Sequence, residues 1–338
     1  MNIPDAAVPE PILQRITQAM GASKVSHIEL IQPLWGGYGQ LFRAYLLGHS
    51  FPSVIVKYIR LPQSTAHPRG WNTPLSHQRK LRSYQVEVNW YQDYANKHLQ
   101  AFSPLPHCLC VEQDCDETLL VLQDLKTMGF TQIRTTATPN TIRACLTWLG
   151  HFHAQYMFVT PTGLWPVGTY WHLDTRPDEY KALAEGPLKS AAKLIDNTLK
   201  QCPFQTLVHG DAKLANFCFS EDNRAAAVDF QYIGQGCGMK DVIMLLSSTL
   251  NFNEPDSVIN DYLEHYFTAL TKGLTEFTPH INPQEVEHVW RPLYCVAWAD
   301  FHRFVKGWSV EHVKINSYTE KLTSKAIEQL STTFLISY

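Results

Sequence analysis

Residues 209–216 read His209-Gly210-Asp211-Ala212-Lys213-Leu214-Ala215-Asn216 and follow the apolar pair Leu207-Val208. A carboxylate and a carboxamide five residues apart on a loop have a definite chemical use. The carboxylate can accept or orient the proton of an attacking hydroxyl, while the amide oxygen holds magnesium without adding charge. A loop of that length curls back so that both groups point at one phosphate. The plain alternative is an ordinary strand-to-helix turn in which Asp211 and Asn216 serve only as caps. The rest of the chain separates the two readings.

Beyond Asn216, Ala225-Ala226-Ala227-Val228 is a short apolar strand that ends in Asp229-Phe230. A carboxylate directly after a buried strand is costly unless something neutralises it, and a divalent metal would do so. The 209–216 loop fits the kinase catalytic-loop pattern H-R-D-x-x-x-x-N with Gly210 in place of Arg. That template requires an aspartate such as Asp229 as the principal magnesium ligand, with Asn216 as the second and Asp211 as the catalytic carboxylate.

The first part of the chain offers the matching half. Val54-Ile55-Val56-Lys57 is a β-branched strand ending in lysine, resembling the kinase V-A-I-K strand whose ammonium holds the α- and β-phosphates; alone it would be a strand-end surface charge. A helix from about Ser76 to Leu99 sets Tyr84, Glu87, Tyr91 and Tyr94 on one face. An unpaired carboxylate in such an aromatic stripe is unfavourable, and a Lys57–Glu87 ion pair resolves both oddities. Gly36, Gly37 and Gly39, between the first two strands, free backbone N–H groups to cradle phosphate oxygens; otherwise they make a hairpin turn. Leu119 to Leu125 reads as a last strand running into a hinge, where the backbone at Gln123 and Leu125 faces an adenine edge, or simply as a strand end.

Around these motifs the periodicity predicts a helix from Pro9 to Met20. Strands follow at Ile28–Leu34, Leu41–Leu47, Phe51–Tyr58, His107–Val111 and Thr118–Leu122, an antiparallel meander. After residue 124 helical patterns dominate: Thr141–Met157, Pro187–Leu199, Asp256–Leu270 and a long helix Glu285–Trp308, with small β segments near Leu207-Val208 and Ala226–Val228. The expected fold is α+β and bilobal, protein-kinase-like, with an antiparallel five-stranded N-lobe (1–124), a mostly helical C-lobe (125–338) and a ligand cleft between the lobes. The loop Leu61–Leu75, with Arg69 and Trp71, is a candidate lid or substrate contact.

Taken in order, these residues resemble the aminoglycoside phosphotransferase/choline kinase-like superfamily, and particularly its ecdysteroid-kinase-like branch. The likeness spans about residues 25–250 and includes Gln123-Asp124-Leu125, Leu149–Ala154, Asp229-Phe230-Gln231 and Gly238–Val242, where Asp241 is expected to cap the next helix. It implies ATP and magnesium as cofactors, with Lys57 as phosphate lysine, Glu87 as its partner, Asp211 as catalytic aspartate, and Asn216 and Asp229 as metal ligands. Phe230-Gln231 in place of Phe-Gly predicts no movable activation switch. The lack of an A-P-E sequence argues for a small-molecule acceptor rather than a protein.

Composition limits the alternatives. Hydrophobic residues make up 45% and charged residues 17% of the 338, which excludes a disordered chain. With 28 Lys+Arg against 31 Asp+Glu, no broad field draws the protein to nucleic acid or anionic membranes. No apolar run reaches the roughly 18 residues of a spanning helix. The first residues lack a secretory pattern, so a cytoplasmic setting with free thiols is expected. His107, Cys108, Cys110 and Cys115 cluster in sequence, but Cys108 and Cys110 are read as one face of a strand rather than as zinc ligands.

The acceptor region is the least determined. Tyr294, Trp298, Phe301, Val305 and Trp308 form a stripe on the long helix, read either as core or as a substrate wall with Trp298, Asp300 and Arg303 as contacts. The wall reading predicts an uncharged or cationic alcohol with an apolar body. Two functions follow from the whole: an ATP-dependent phosphotransferase acting on the hydroxyl of a small molecule, or a catalytically silent nucleotide-binding scaffold of the same fold.

Overall fold

A computed structural model describes residues 8–60, 74–114, 116–251 and 254–336. The fold is α+β and bilobal. One compact unit comprises the residues up to Arg82 with Tyr91–His98 and Leu105–Thr131; the other holds Ser83–Trp90, Leu99–Pro104 and everything from Gln132 onward.

The first unit is a five-stranded antiparallel sheet. Its strands are β1 (Lys24–Pro33), β2 (Gly39–Leu47), β3 (Ser53–Arg60), β4 (Cys108–Gln113) and β5 (Glu117–Gln123), in the order β1-β2-β3-β5-β4. Alternation decides what each face carries. Phe42, Ala44 and Leu46 of β2, Val54 and Val56 of β3, and Val121 of β5 form a core against Ile12 and Ile16 of helix α1 (Glu10–Met20). Lys57 falls on the opposite face, in register with Leu41 and Leu120, and is only 5% exposed. The sequence reading put Cys108 and Cys110 on one face of β4. A bulge at Leu109 instead sets Cys108 opposite Leu122 and Cys110 opposite Val121, the two faces of β5. Cys115 and the 61–73 stretch, with Arg69 and Trp71, lie outside the described residues.

Helix α2 (Pro74–Asn89) gives way to a wider π turn at Trp90–Tyr94, so the single helix expected to Leu99 ends earlier. The second unit begins with β6 (Gln132–Ile133), α3 (Pro139–Gln155), α4 (Pro177–Ala182) and α5 (Pro187–Lys200). Four short strands follow: β7 (Thr206–Val208), β8 (Phe217–Phe219), β9 (Ala225–Ala227) and β10 (Gly234–Gly236). With β6 they form two small sheets, β10-β7 and β6-β8-β9. The chain then runs through α6 (Met239–Thr249), α7 (Asp256–Phe277), α8 (Pro283–Trp290), α9 (Leu293–Trp308) and α10 (Ser317–Ile336). The helix expected over Glu285–Trp308 is two helices. Pro292 has no N–H to donate and its ring crowds the preceding turn, so α8 stops and α9 starts afresh. No helix among the described residues is long and apolar enough to cross a membrane.

Candidate active site

Strand β7 is fully buried and delivers His209 into the interior. The His209 Nε2–H donates to the Val228 carbonyl at 3.0 Å, and its Nδ1 accepts the Asp211 N–H at 3.3 Å, which fixes the tautomer and ties the loop to the end of β9. Gly210 has φ 81°, and a Cβ there would stand 2.1 Å from the Tyr232 carbonyl oxygen. That contact explains glycine where the kinase pattern has arginine.

Asp241, the third residue of α6, is fully buried, and its carboxylate accepts the His209 N–H at 2.5 Å and the Gly210 N–H at 2.9 Å. His153 of α3 donates Nε2–H to the same carboxylate at 3.1 Å and accepts the Tyr266 hydroxyl at its Nδ1. The expected cap of α6 is therefore a clamp on the 209–216 loop, and no side chain among the described residues caps that helix. Gly238 makes room for the clamp, since a Cβ there would press on Trp290, Tyr266 and His153.

Asp211 is 6% exposed. One carboxylate oxygen accepts Lys213 Nζ at 2.7 Å and Asn216 Nδ2 at 3.2 Å; the other, buried, has no partner among the described residues. Burial pushes its pKa up, the charge of Asp229 adds to the rise, and Lys213 opposes it. Asn216 also donates to the Asp211 carbonyl at 2.8 Å, which leaves its side-chain oxygen unbonded among the described residues. Asp229 sits at φ 70°, a left-handed conformation that a non-glycine residue adopts at a cost of about 1–2 kcal/mol. Its carboxylate accepts a hydrogen bond from Gln231. Phe230 is fully buried, stacked on Trp90 at 4.8 Å and against His209 at 4.7 Å.

Asp211, Asn216 and Asp229 are thus gathered at one place in the second unit. Their donor set is hard oxygen throughout, which suits magnesium. Glu87, 2% exposed, belongs to the second unit and Lys57 to the first.

In the first unit, Gly36, Gly37 and Gly39 have φ of 71°, 78° and 127°. The turn is closed by Leu34 N–H to the Gly39 carbonyl at 2.8 Å. A Cβ on Gly39 would lie 2.0 Å from the Tyr58 carbonyl oxygen, so this turn can only hug β3 as glycine. Sequence reasoning named Asp124 in the hinge stretch but missed Arg43 and the buried pair the two form, with Nε–Oδ2 2.6 Å. Burial works to raise the Asp124 pKa, but hydrogen bonds from Arg43, Ser53 and the Lys126 N–H outweigh it and hold it below the usual carboxylate range. The pair anchors the turn at Leu125, whose N–H meets no acceptor among the described residues, while the Gln123 N–H donates to the His107 carbonyl at 2.9 Å.

The acceptor candidates lie in the interior of the second unit. Asp300 accepts Trp171 Nε1–H at 3.0 Å and pairs with Arg303 at 2.9 Å and Lys240 at 3.8 Å; all three charged groups are at most 2% exposed. Arg303 also donates to the Trp171 carbonyl. Asp300 and Arg303 are thus buried against each other and against Trp171, while Arg303 Nε and Nη1 meet no hydrogen-bond partner among the described residues. Trp298 is 2% exposed and borders a cavity of about 10 Å³, room for one water.

A glycine turn beside a lysine strand, and a buried loop with one aspartate, one asparagine and a metal-type carboxylate, define a phosphotransferase of the kinase-like class. The sequence model of the phosphotransferase enzyme family, APH, matches residues 33–277, and the chain belongs to that family. No curated protein sequence matches it. Among solved structures, the chain is similar to the amicoumacin kinase hAmiN in complex with AMP-PNP, Ca2+ and Ami (TM-score 0.55, 11% identity, 96% of this chain and 94% of that one). It is also similar to a microcompartment-associated aminopropanol kinase (TM-score 0.51, 14% identity, 97% and 98%). At such identities the likeness concerns the fold.

Proposed function

We propose that the protein transfers the γ-phosphoryl group of ATP to a hydroxyl of a small-molecule acceptor. The observation that carries this reading is the buried Asp211, with one oxygen held by Lys213 and Asn216 and the other unbonded among the described residues. A carboxylate kept available in this way is what a hydroxyl needs to be oriented for attack. Asn216 and Asp229 would hold magnesium, which when bound neutralises charge on the nucleotide phosphates. The strained backbone at Asp229 supports that role, since such strain persists where function requires it. Lys57, proposed as the phosphate lysine paired with Glu87, and the turn of Gly36, Gly37 and Gly39 would bind the phosphates. The Leu125 N–H, without an acceptor among the described residues, would meet the adenine edge, with the Gln123 backbone beside it.

Placement in the ecdysteroid-kinase-like branch rests on the ordered motifs with the stretches Gln123–Leu125, Leu149–Ala154, Asp229–Gln231 and Gly238–Val242. A cytoplasmic setting accords with the need for ATP and with the free thiols of Cys145, Cys202, Cys237 and Cys295. The test is magnesium-dependent release of ADP from ATP, followed by a screen of hydroxylated metabolites and antibiotics for phosphorylated products. No ADP release and no product under any condition would defeat the reading.

A further inference from the structure

Lys314 lies between α9 and α10 and takes no part in the chemistry assigned so far. Its Nζ donates to Ser247 Oγ at 3.0 Å and stands 4.9 Å from the centre of the Phe301 ring. No carboxylate among the described residues pairs with it. Ser248, the residue after its Ser247 partner, accepts the Leu214 N–H of the 209–216 loop at 3.0 Å, so Lys314 is tied through α6 to the loop that carries Asp211, whose charge attracts it while that of Lys213 repels it. Asp211 is already engaged by Lys213. Burial pushes the Lys314 amine down to about 8. A partly buried ammonium without a counter-charge is unfavourable, and an anionic group brought in from outside would relieve it. Of its three N–H donors, Ser247 uses one and two meet no acceptor among the described residues.

We infer that Lys314, together with Lys213 of the 209–216 loop, receives the carboxylate of the acceptor, so that the substrate is a hydroxy acid rather than a neutral or cationic alcohol. This rests on the proposed phosphotransfer at Asp211. Two like charges at this loop and at the segment tied to it disfavour an ammonium-bearing acceptor and favour an acid. The same segment exposes apolar side chains, with Val310 77% and Val313 76% exposed and Trp308 37% exposed. They offer a face for an acceptor with an apolar body.

The experiment uses three alcohols of one chain length, 6-hydroxyhexanoate, 6-amino-1-hexanol and 1-hexanol, with the full chain and MgATP. Dissociation constants come from NMR titration and products from mass spectrometry. The hydroxy acid is expected to bind at least about tenfold more tightly than the other two, as a charge-assisted hydrogen bond implies. Lys314→Met should erase that preference and Lys314→Arg should restore most of it. Equal binding of the three, binding of none, or a preference unchanged in Lys314→Met overturns the inference. If Lys314→Met does not fold, Lys314→Gln and the wild-type preference decide. ATP turnover in the same preparations separates the two levels. Intact turnover without carboxylate preference defeats only the role of Lys314, whereas absence of magnesium-dependent turnover defeats the phosphotransferase reading itself.

Discussion

The Asp241 carboxylate accepts the backbone N–H of Gly210 at 2.9 Å, across 31 residues of sequence, and so fixes the turn that presents Asp211. Asp241→Asn turns one accepting oxygen into a donor that faces an N–H group. Stability should fall by about 2–4 kcal/mol, measured by urea unfolding, and turnover should fall because Asp211 is misplaced. Unchanged stability and turnover would show that the loop holds itself.

Asp211→Asn should reduce turnover by orders of magnitude while leaving MgATP affinity nearly unchanged, because the loss is confined to the transition state. Single-turnover kinetics with calorimetric nucleotide binding reads both quantities. Full turnover in this variant removes Asp211 from the mechanism.

Asn216→Ala and Asp229→Gly should weaken binding of MgATP relative to metal-free ATP. Lys57→Ala should weaken both alike, since its proposed contact is with phosphate and not with metal. Asp229→Gly also relieves a left-handed backbone, so its stability should hold or rise by about 1 kcal/mol. Calorimetry at several magnesium concentrations and a thermal melt check the two halves, and a magnesium dependence unchanged in Asp229→Gly contradicts the assignment.

Asp196 supplies a pH prediction away from the site. Burial acts to raise its pKa, but His172 and Lys200, with Lys200 Nζ at 2.7 Å, outweigh it and hold the carboxyl at about 2, below its ordinary 3.8. A depressed carboxylate stabilises the fold above its unfolded value, and that contribution is lost as pH falls from about 4 to about 2. Asp196→Asn should cost about 1 kcal/mol at neutral pH, since Lys200 is partly exposed. The two unfolding curves should converge in that acid window; parallel curves down to pH 2 would refute the pairing.

Much of the second unit's site was legible because its chemistry is local. The loop from His209 to Asn216 and the strand ending at Asp229 carry their residue types at fixed short spacing. The five strands were legible for the same reason, each being a period-2 pattern between turn residues. Asp241 could not be read as a clamp, because nothing in Gly238-Met239-Lys240-Asp241 says that its partners lie in a loop 31 residues earlier. The break at Pro292 was visible in the sequence and was overridden by the apolar stripe from Tyr294 to Trp308 that follows it. That stripe also hid the ionic interior formed by Lys240, Asp300 and Arg303, because a polar residue on an apolar face looks the same whether its partner is substrate or protein. Lys314, a lone lysine in a connecting segment, carries no pattern at all.

The aromatic seat of Phe230 bears on how this protein would be targeted. The ring fills the space between Trp90 and His209, with Phe152 and Trp148 close by. Swinging it out would leave a void worth about 3–5 kcal/mol. An inhibitor designed to capture a displaced phenylalanine would have to supply that energy before gaining any contact of its own. Compounds selective for this protein are better sought among carboxylates that engage Lys314.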